Sequence, residues 1–354
     1  MASLGDFSGA RVRLKKAVSE GEVPGGVAVA GNRDERQLVT ASGVRKLGGE
    51  AVTPETYFDL ASLTKVVSTL PAIVRLVSDG ELNFDDKIGK FFSNAGWFQT
   101  PSVSEVSVKQ LLSHTSGLPA WKPLFAQLST RRTAIGSVLQ TSLEHPKGTF
   151  VYSDLGFMLL GILVERISGM RQDTFVNEHV FGPLEMTHTR YGPVKNVPIA
   201  ATEDCGWRNE LLEGTVHDEN AFLMEGVAGH AGLFGTADDL ATYAQAWLNL
   251  DSRLGKEGVL LETLKEHVND GSVRRGLGWQ LWSENSSVGA LAGEHAFGHT
   301  GFTGTSLWLE PEQNWFGVLL TNRVHPTRAG GSKIHEVRQG FYSAVTKVMR
   351  QGDL

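Results

Sequence analysis

Residues 58–70 read FDLASLTKVVSTL, with a serine and a lysine three positions apart among apolar side chains, Ser62 and Lys65. From Ser62 onward, Leu63, Val66, Val67, Leu70, Ile73, Val74 and Val77 recur at helical spacing, and Gly80 supplies a stop. The spacing predicts a core helix starting at Ser62, with Pro71 kinking it or disturbing one turn. Residues at i and i+3 are neighbours on a helix, with Cβ atoms about 5–6 Å apart. Burial disfavours the charged form of lysine, so Lys65 is expected to have a lowered pKa and to act as a base toward Ser62. In a first helical turn the Ser62 N–H has no intrahelical partner and can stabilise an oxyanion. Nucleophile, adjacent base and oxyanion donor are the parts of an acyl-enzyme mechanism. Alone, one Ser-x-x-Lys match is more often a structural pair, so the rest of the chain decides.

Working outward, residues 7–20 read as an amphipathic helix. GGVAVAG (25–31) and QLVTASG (37–43) read as a strand hairpin, and YFDL as one more short strand. Residues 81–200 look helical and loop-rich. SVSEVSVKQLLSHTSGLP carries a short helix ending at Gly117, DLGFMLLGILVERISG (154–169) a buried helix, and TADDLATYAQAWLNL (236–250) another, capped by Thr236. From about 276, GLGWQLW, AFGHTG, TSLWLEP and WFGVLLTN return to strand patterns, and residues 332–351 close with a helix. Strands at both chain ends around a helical insertion predict an α/β (α+β) protein. An antiparallel sheet flanked by helices is expected from 1–61 and 270–354, and a mainly helical domain from 62–269, with the site at their junction.

The composition excludes several classes. Of 354 residues, 41% are hydrophobic and 20% charged, with a net charge of -6. Without a concentrated basic face, nucleic acid is not an expected partner. The single cysteine, Cys205, allows no intrachain disulfide, and its acidic neighbours discourage a thiolate. GFMLLGILV (156–164) is too short to span a bilayer, and the N-terminal residues lack a signal peptide's apolar core, so a cytoplasmic location is expected. There is no His-Glu-x-x-His or paired-cysteine spacing, so neither metal nor cofactor is expected, and no Gly-x-Ser-x-Gly elbow.

Two further segments change the weight of the serine–lysine pair. Tyr152-Ser153-Asp154 precedes a buried helix, and His299-Thr300-Gly301 sits on a strand edge in FGHTGFTGTSLWLE. The order Ser-x-x-Lys, Tyr-x-Asn, Lys/His-Thr-Gly resembles that of the penicillin-recognising serine hydrolases, in particular the class C β-lactamase, D,D-peptidase and family VIII esterase branch. PGGVAVA, LLSHTSGLP, AGHAGLFGTADDLA and GVLLTNR extend the resemblance over nearly the whole chain. The resemblance implies a β-lactamase/transpeptidase-like fold. It implies Ser62 as nucleophile, Lys65 as base partner or as the group that keeps Tyr152 basic, and Tyr152 as proton relay. The N–H groups of Ser62 and Phe302 would form the oxyanion hole.

Asp154 and His299 depart from that pattern. A carboxylate in place of asparagine accepts rather than donates, so Asp154 either pairs with Lys65 or selects a substrate with a donor. Histidine is largely neutral near pH 7 and attracts a substrate carboxylate less than lysine. Both count against an efficient β-lactamase and leave acyl transfer intact. Thr300, Gly301, His230 and Arg323 are further substrate-contact candidates. His230 is balanced against a structural brace, among glycines that permit close approach to a ligand, and Arg323 against a solvated strand end. His114 is expected to brace a loop. The expected activity is a serine hydrolase on an amide or ester: a peptidase or amidase on cell-wall muropeptides or a carboxylesterase, with weak β-lactamase activity. The alternatives are an acyltransferase and a non-catalytic penicillin-binding or sensing protein. The expected partner is a small-molecule, peptide or ester substrate.

Overall fold

The computed structural model describes residues 6–92, 101–329 and 333–351. Its main sheet has eight antiparallel strands: β1 (Gly25–Gly31), β2 (Arg36–Gly43), β3 (Val268–Asn269), β4 (Arg274–Arg275), β5 (Gln280–Leu281), β6 (Phe297–Thr300), β7 (Ser306–Glu310) and β8 (Trp315–Thr321), in spatial order β2-β1-β8-β7-β6-β5-β4-β3. The N-terminal hairpin thus joins the C-terminal strands through β1 and β8, with Val27 opposite Leu320 and Val29 opposite Val318.

Period-2 alternation gives this sheet two buried faces. Ala28, Ala30, Trp308 and Leu319 pack under α1 (Ser8–Ser19) and the closing helix, together with Leu14, Phe341 and Tyr342. Val27, Val29, Leu307, Leu309, Val318 and Leu320 face the larger core, which runs into the helical region. Each fully buried side chain of this size contributes roughly 1.5–3 kcal/mol, so burial on both faces makes this sheet the platform for the site at the end of the interior strand β6.

The helical region is organised by α2 (Leu70–Asp79), α3 (Asp154–Ser168) and α4 (Ala237–Leu248); α5 (Ile334–Gln351) closes the chain. Gly80 and Gly169 end α2 and α3 in left-handed conformation, as glycine does most cheaply. Thr236 caps α4 by accepting from Asp239 N–H. Two details differ from expectation. The segment after Ser62 is not one α-helix: a 3₁₀ turn (Ala61–Leu63) leads into a π-helical turn (Lys65–Thr69) and only then into α2. Pro71 lies in the first turn of α2 and does not kink it; the turn it disturbs is the π turn just before, where Val66 O accepts from the Tyr243 hydroxyl. The helix after Ser107 ends at Leu112; Gly117 serves a later turn at φ 83°. Ser332, at the expected start of the closing helix, lies outside the described residues. The run Ala61–Asp79 is long and apolar enough to cross a membrane, but 83% of its apolar 18-residue window is buried inside the protein, as a core helix is.

Candidate active site

The nucleophile turn is fixed from below by a second small sheet. Phe58–Asp59 pairs with Leu233–Gly235, and Leu60 N–H bonds Leu233 O at 2.9 Å. Asp59 is buried and accepts from Ala61 N–H (2.9 Å) and His217 N–H (2.7 Å) with its two oxygens. Ala61 sits at φ 47°, a strained conformation for a residue with a Cβ, and the Asp59 bond holds it there. Ser62 follows directly. The π turn after it is braced by Gln172, whose amide donates to Ser68 Oγ (3.1 Å) and Thr69 Oγ1 (2.8 Å), while Thr69 donates to Gly229 O (2.6 Å).

Lys65 is fully buried, and its Nζ reaches three oxygens: Ser62 Oγ (2.9 Å), His230 O (3.2 Å) and Asp154 Oδ1 (2.7 Å). An ammonium has three donors, so this environment suits the charged form. Burial pulls the Lys65 pKa down, but Asp154 and then Tyr152 outweigh it, and the net direction is upward. The expected lowering of its pKa is therefore overturned. The physical reason is Asp154, which places a full negative charge where asparagine would place a dipole.

Tyr152 and Asp154 are set by the start of α3. Ser153 caps that helix, accepting from Gly156 N–H (3.1 Å) and donating to Pro119 O (2.7 Å). Ser153 N–H donates to Nδ1 of His114 (3.0 Å), whose ring lies 4.5 Å from that of Tyr152. His114 is a brace, as expected. The Tyr152 ring also faces Lys65 Nζ, 5.1 Å from its centroid, and His299, at 6.0 Å between centroids.

The third motif is latched to the serine turn. Thr303 Oγ1 donates to Asp59 O (2.7 Å), and Thr305 Oγ1 to Leu60 O (3.0 Å). Gly301 passes so close that a Cβ would meet Leu60 O at 2.6 Å. Arg338 from α5 donates to the carbonyls of Gly301 (2.7 Å) and Thr305 (2.8 Å). His299 donates from Nδ1 to Thr300 O (2.8 Å), and burial, then the charge of Arg275, hold its pKa well below the usual histidine value. Arg323 donates from Nε to Phe302 O (2.7 Å) and stacks on the Phe302 ring, so it props the half-exposed Phe302 loop.

A cavity of about 640 Å³ collects these groups, within the range of small-molecule sites. Ser62, Tyr152, Asp154, His230, His299, Thr300, Gly301, Phe302 and Arg323 all line it; Lys65 lies behind them. His230 bonds Asp218 through Nε2 (2.8 Å). Burial raises the Asp218 pKa, but His230 overcomes this and holds it below the usual carboxylate range. The glycines beside His230 serve chain packing rather than a ligand: a Cβ on Gly229 would meet Phe157 O at 2.0 Å. Sequence reasoning missed Asp59, Asp218, Arg275 and Arg338. Asp59 adjoins the motif and was legible as an acid inside an apolar strand; the others come from segments that only the fold brings to the cleft.

A family model described as Beta-lactamase matches residues 13–340. The chain belongs to the β-lactamase family. It is 35% identical over 302 residues to the N-acetylmuramyl-L-alanine amidase of Bacillus subtilis (strain 168), covering 76% of this chain and 68% of that one. It is 33% identical over 317 residues to an Escherichia coli (strain K12) protein provisionally named a D-alanyl-D-alanine carboxypeptidase, covering 79% and 72%. Among solved structures it is similar to EstCE1, a hydrolase with promiscuous acyltransferase activity, at 20% identity and TM-score 0.77, covering 94% and 97%. That likeness is one of fold: an eight-stranded antiparallel sheet with a helical region, the β-lactamase/transpeptidase arrangement. By its family, the chain is a β-lactamase-family hydrolase.

Proposed function

We propose that the protein is a serine amidase or peptidase that forms an acyl-enzyme on Ser62, with muropeptide-type amides as its acyl donors. The observation that carries this reading is Ser62 Oγ at the cavity wall, 2.9 Å from a buried Lys65 ammonium that Asp154 holds in place. The names of the amidase and carboxypeptidase relatives support the substrate class.

In this mechanism Lys65 positions Ser62 and stabilises charge, and Tyr152 is the base. Tyr152 takes the proton of Ser62 as Oγ bonds to the donor's carbonyl carbon. The N–H groups of Ser62 and Phe302 receive the oxyanion; losing one such donor in serine hydrolases costs about 3–4 kcal/mol of barrier. The bond to the leaving amine or alcohol breaks as that group takes the proton back from Tyr152. Water then repeats the sequence on the ester and frees Ser62.

The test is turnover of a muramoyl-peptide, a p-nitrophenyl ester and a β-lactam by the wild type and Ser62→Ala, with and without an added alcohol. The reading expects Ser62-dependent release with the muramoyl-peptide preferred. Preference for the ester would make the protein an esterase, transfer to the alcohol an acyltransferase, and Ser62-independent turnover would overturn the reading.

A further inference from the structure

Among the described residues, the only tryptophan and phenylalanine side chains largely exposed to solvent are Trp121, Trp207, Phe222 and Phe302. Two of them, Trp121 and Phe302, line the cavity that holds Ser62. From Trp121 the rings run outward in a chain. Phe125 lies 6.3 Å from Trp121, Trp207 4.9 Å from Phe125, and Phe222 6.2 Å from Trp207, centroid to centroid. The last two contacts are edge-to-face, at 68° and 87°, which orients the rings and still leaves Trp207 51% exposed. Apolar surface held in water is unfavourable, and an exposed patch of it beside a cavity, rimmed by polar groups, marks a ligand groove.

These rings are held in place from behind. Asp154 N–H donates to Ala120 O (2.9 Å), so Trp121 follows directly on a residue fixed to the start of α3. Buried Asn220, on the short helix Glu219–Leu223, accepts from Phe125 N–H (3.2 Å) and donates to Lys122 O (2.8 Å). It ties the loop of Trp121 and Phe125 to the helix that carries Phe222. The Arg208 guanidinium carbon lies 4.1 Å from the Phe222 centroid and 5.3 Å from that of Trp207, and Arg208 donates to the carbonyls of Val216 (2.6 Å) and His217 (3.3 Å). Its charge is spent on the rings and the chain rather than on an anionic ligand. Glu219, where this surface meets the cavity, pairs with Arg328 (2.7 Å), and both line the cavity. Aromatic faces beside a mutually neutralised, hydrogen-bonding pair suit a neutral ligand with one apolar face and polar edges. A pyranose has that form, with C–H groups on its face and hydroxyl and amide groups around its rim. A long acyl chain would leave the Glu219–Arg328 pair without a polar partner, and a macromolecule seated on Trp121 would cover the mouth through which the donor reaches Ser62.

We propose that Trp121, Phe125, Trp207 and Phe222 form a subsite that stacks the N-acetylated pyranose ring of the substrate. The inference rests on the reading of the protein as an acyl-enzyme amidase or peptidase on muropeptide-type amides, and it narrows that reading: the amide cut is the one beside the sugar. Trp121 and Ser62 share one cavity, whereas each residue placed between the sugar and the scissile bond adds up to about 3.5 Å of chain. Ser62 Oγ then takes the sugar-borne acyl group as the amide C–N bond breaks, and the peptide leaves as its amine with the proton that came from Ser62.

The experiment compares wild type, Trp121→Ala, Trp207→Ala, Trp207→Phe and Ser62→Ala on an N-acetylmuramoyl dipeptide and on the same dipeptide bearing a lactoyl group without the sugar. The ratio of kcat/KM, sugar-bearing over sugar-free, should fall about tenfold in Trp121→Ala and in Trp207→Ala, chiefly through KM, as loss of one stacking ring predicts. Trp207→Phe keeps a ring and should keep most of the ratio. The wild-type products should be the sugar acid and the intact dipeptide. Calorimetry on the inert Ser62→Ala protein should show the N-acetylmuramoyl dipeptide binding, about tenfold more weakly once Trp207→Ala is added. An unchanged ratio with Ser62-dependent turnover intact overturns the inference and leaves the acyl-enzyme reading standing. So does an equal fall on both substrates, which would make the rings a wall of the cleft, and so does cleavage inside the dipeptide. If the wild type shows no Ser62-dependent turnover, the acyl-enzyme reading fails, and the calorimetry still decides: binding that is absent, or indifferent to Trp207, overturns the sugar subsite.

Discussion

Lys65 and Asp154 form an ion pair at 2.7 Å in which the lysine is fully buried and the aspartate keeps one side toward the cleft. This pair outweighs the effect of burial and raises the Lys65 pKa, which is why the proposed mechanism gives the role of base to Tyr152. Removing one partner of a buried pair leaves an uncompensated charge, so Asp154→Ala should destabilise the fold by about 3 kcal/mol at neutral pH, read from urea midpoints. The pH dependence has a definite sign. The folded pKa of Lys65 is raised, so its contribution is complete below the unfolded lysine value of about 10.4 and is lost as pH rises through the folded value. In Asp154→Asn burial dominates instead, and stability should rise with pH between 7 and 10. Parallel curves for wild type and Asp154→Asn would contradict this account of the pair.

His114 and His299 should make the protein acid-labile from an unusually high pH. Both are buried and neutral, and burial followed by the nearby Arg275 lowers both pKa values. A group whose folded pKa is depressed binds fewer protons folded than unfolded. Stability is therefore full above the unfolded histidine value of about 6.5 and falls as pH drops below it, by about 1.4 kcal/mol per pH unit for each histidine. The measurement is the urea midpoint from pH 7.5 to 5. His299→Gln should shallow the slope; an unchanged slope would show that His299 does not contribute.

Much of this arrangement was legible before the fold. The hairpin at 25–43, the glycine stops at 80 and 169 and the Thr236 cap follow from local rules, because each residue type is demanded by its own backbone. Ser62, Tyr152, Asp154 and His299 were legible as motifs and do meet in one cavity. The charge state of Lys65 was not legible, since burial and Asp154 act in opposite directions and only geometry shows which prevails. Nor was the π turn at Lys65–Thr69, which is braced by Gln172, over a hundred positions away in sequence.

The contact of Gly301 with the serine turn sets a steric limit. A methyl group there would meet Thr305 Oγ1 at 2.1 Å and Leu60 O at 2.6 Å. Gly301→Ala should push β6 away from Ala61, destabilise by about 1–3 kcal/mol as overpacking does, and lower kcat at least tenfold through the displaced Phe302 N–H. Wild-type kcat in a folded Gly301→Ala protein would show that the distance between strand edge and serine is not critical.

Asp59 offers a test of the strained turn. Its two oxygens accept from Ala61 and His217, and asparagine can accept with only one. Asp59→Asn should leave a buried N–H unpaired, costing about 1–3 kcal/mol, and should lower kcat more than it raises KM, because Ser62 loses its orientation rather than its pocket. A change in KM alone would place the effect elsewhere.

The central claim is that Ser62 carries the acyl group, and trapping that group tests it most directly. The protein would be mixed with an activated ester, quenched in acid within the first turnover, and its peptides mapped by mass. The account predicts the acyl mass on the peptide containing Ser62, absent in Ser62→Ala, and accumulating in Tyr152→Phe more slowly than in the wild type. An acyl mass on another residue, or undiminished ester turnover by Ser62→Ala, would contradict it.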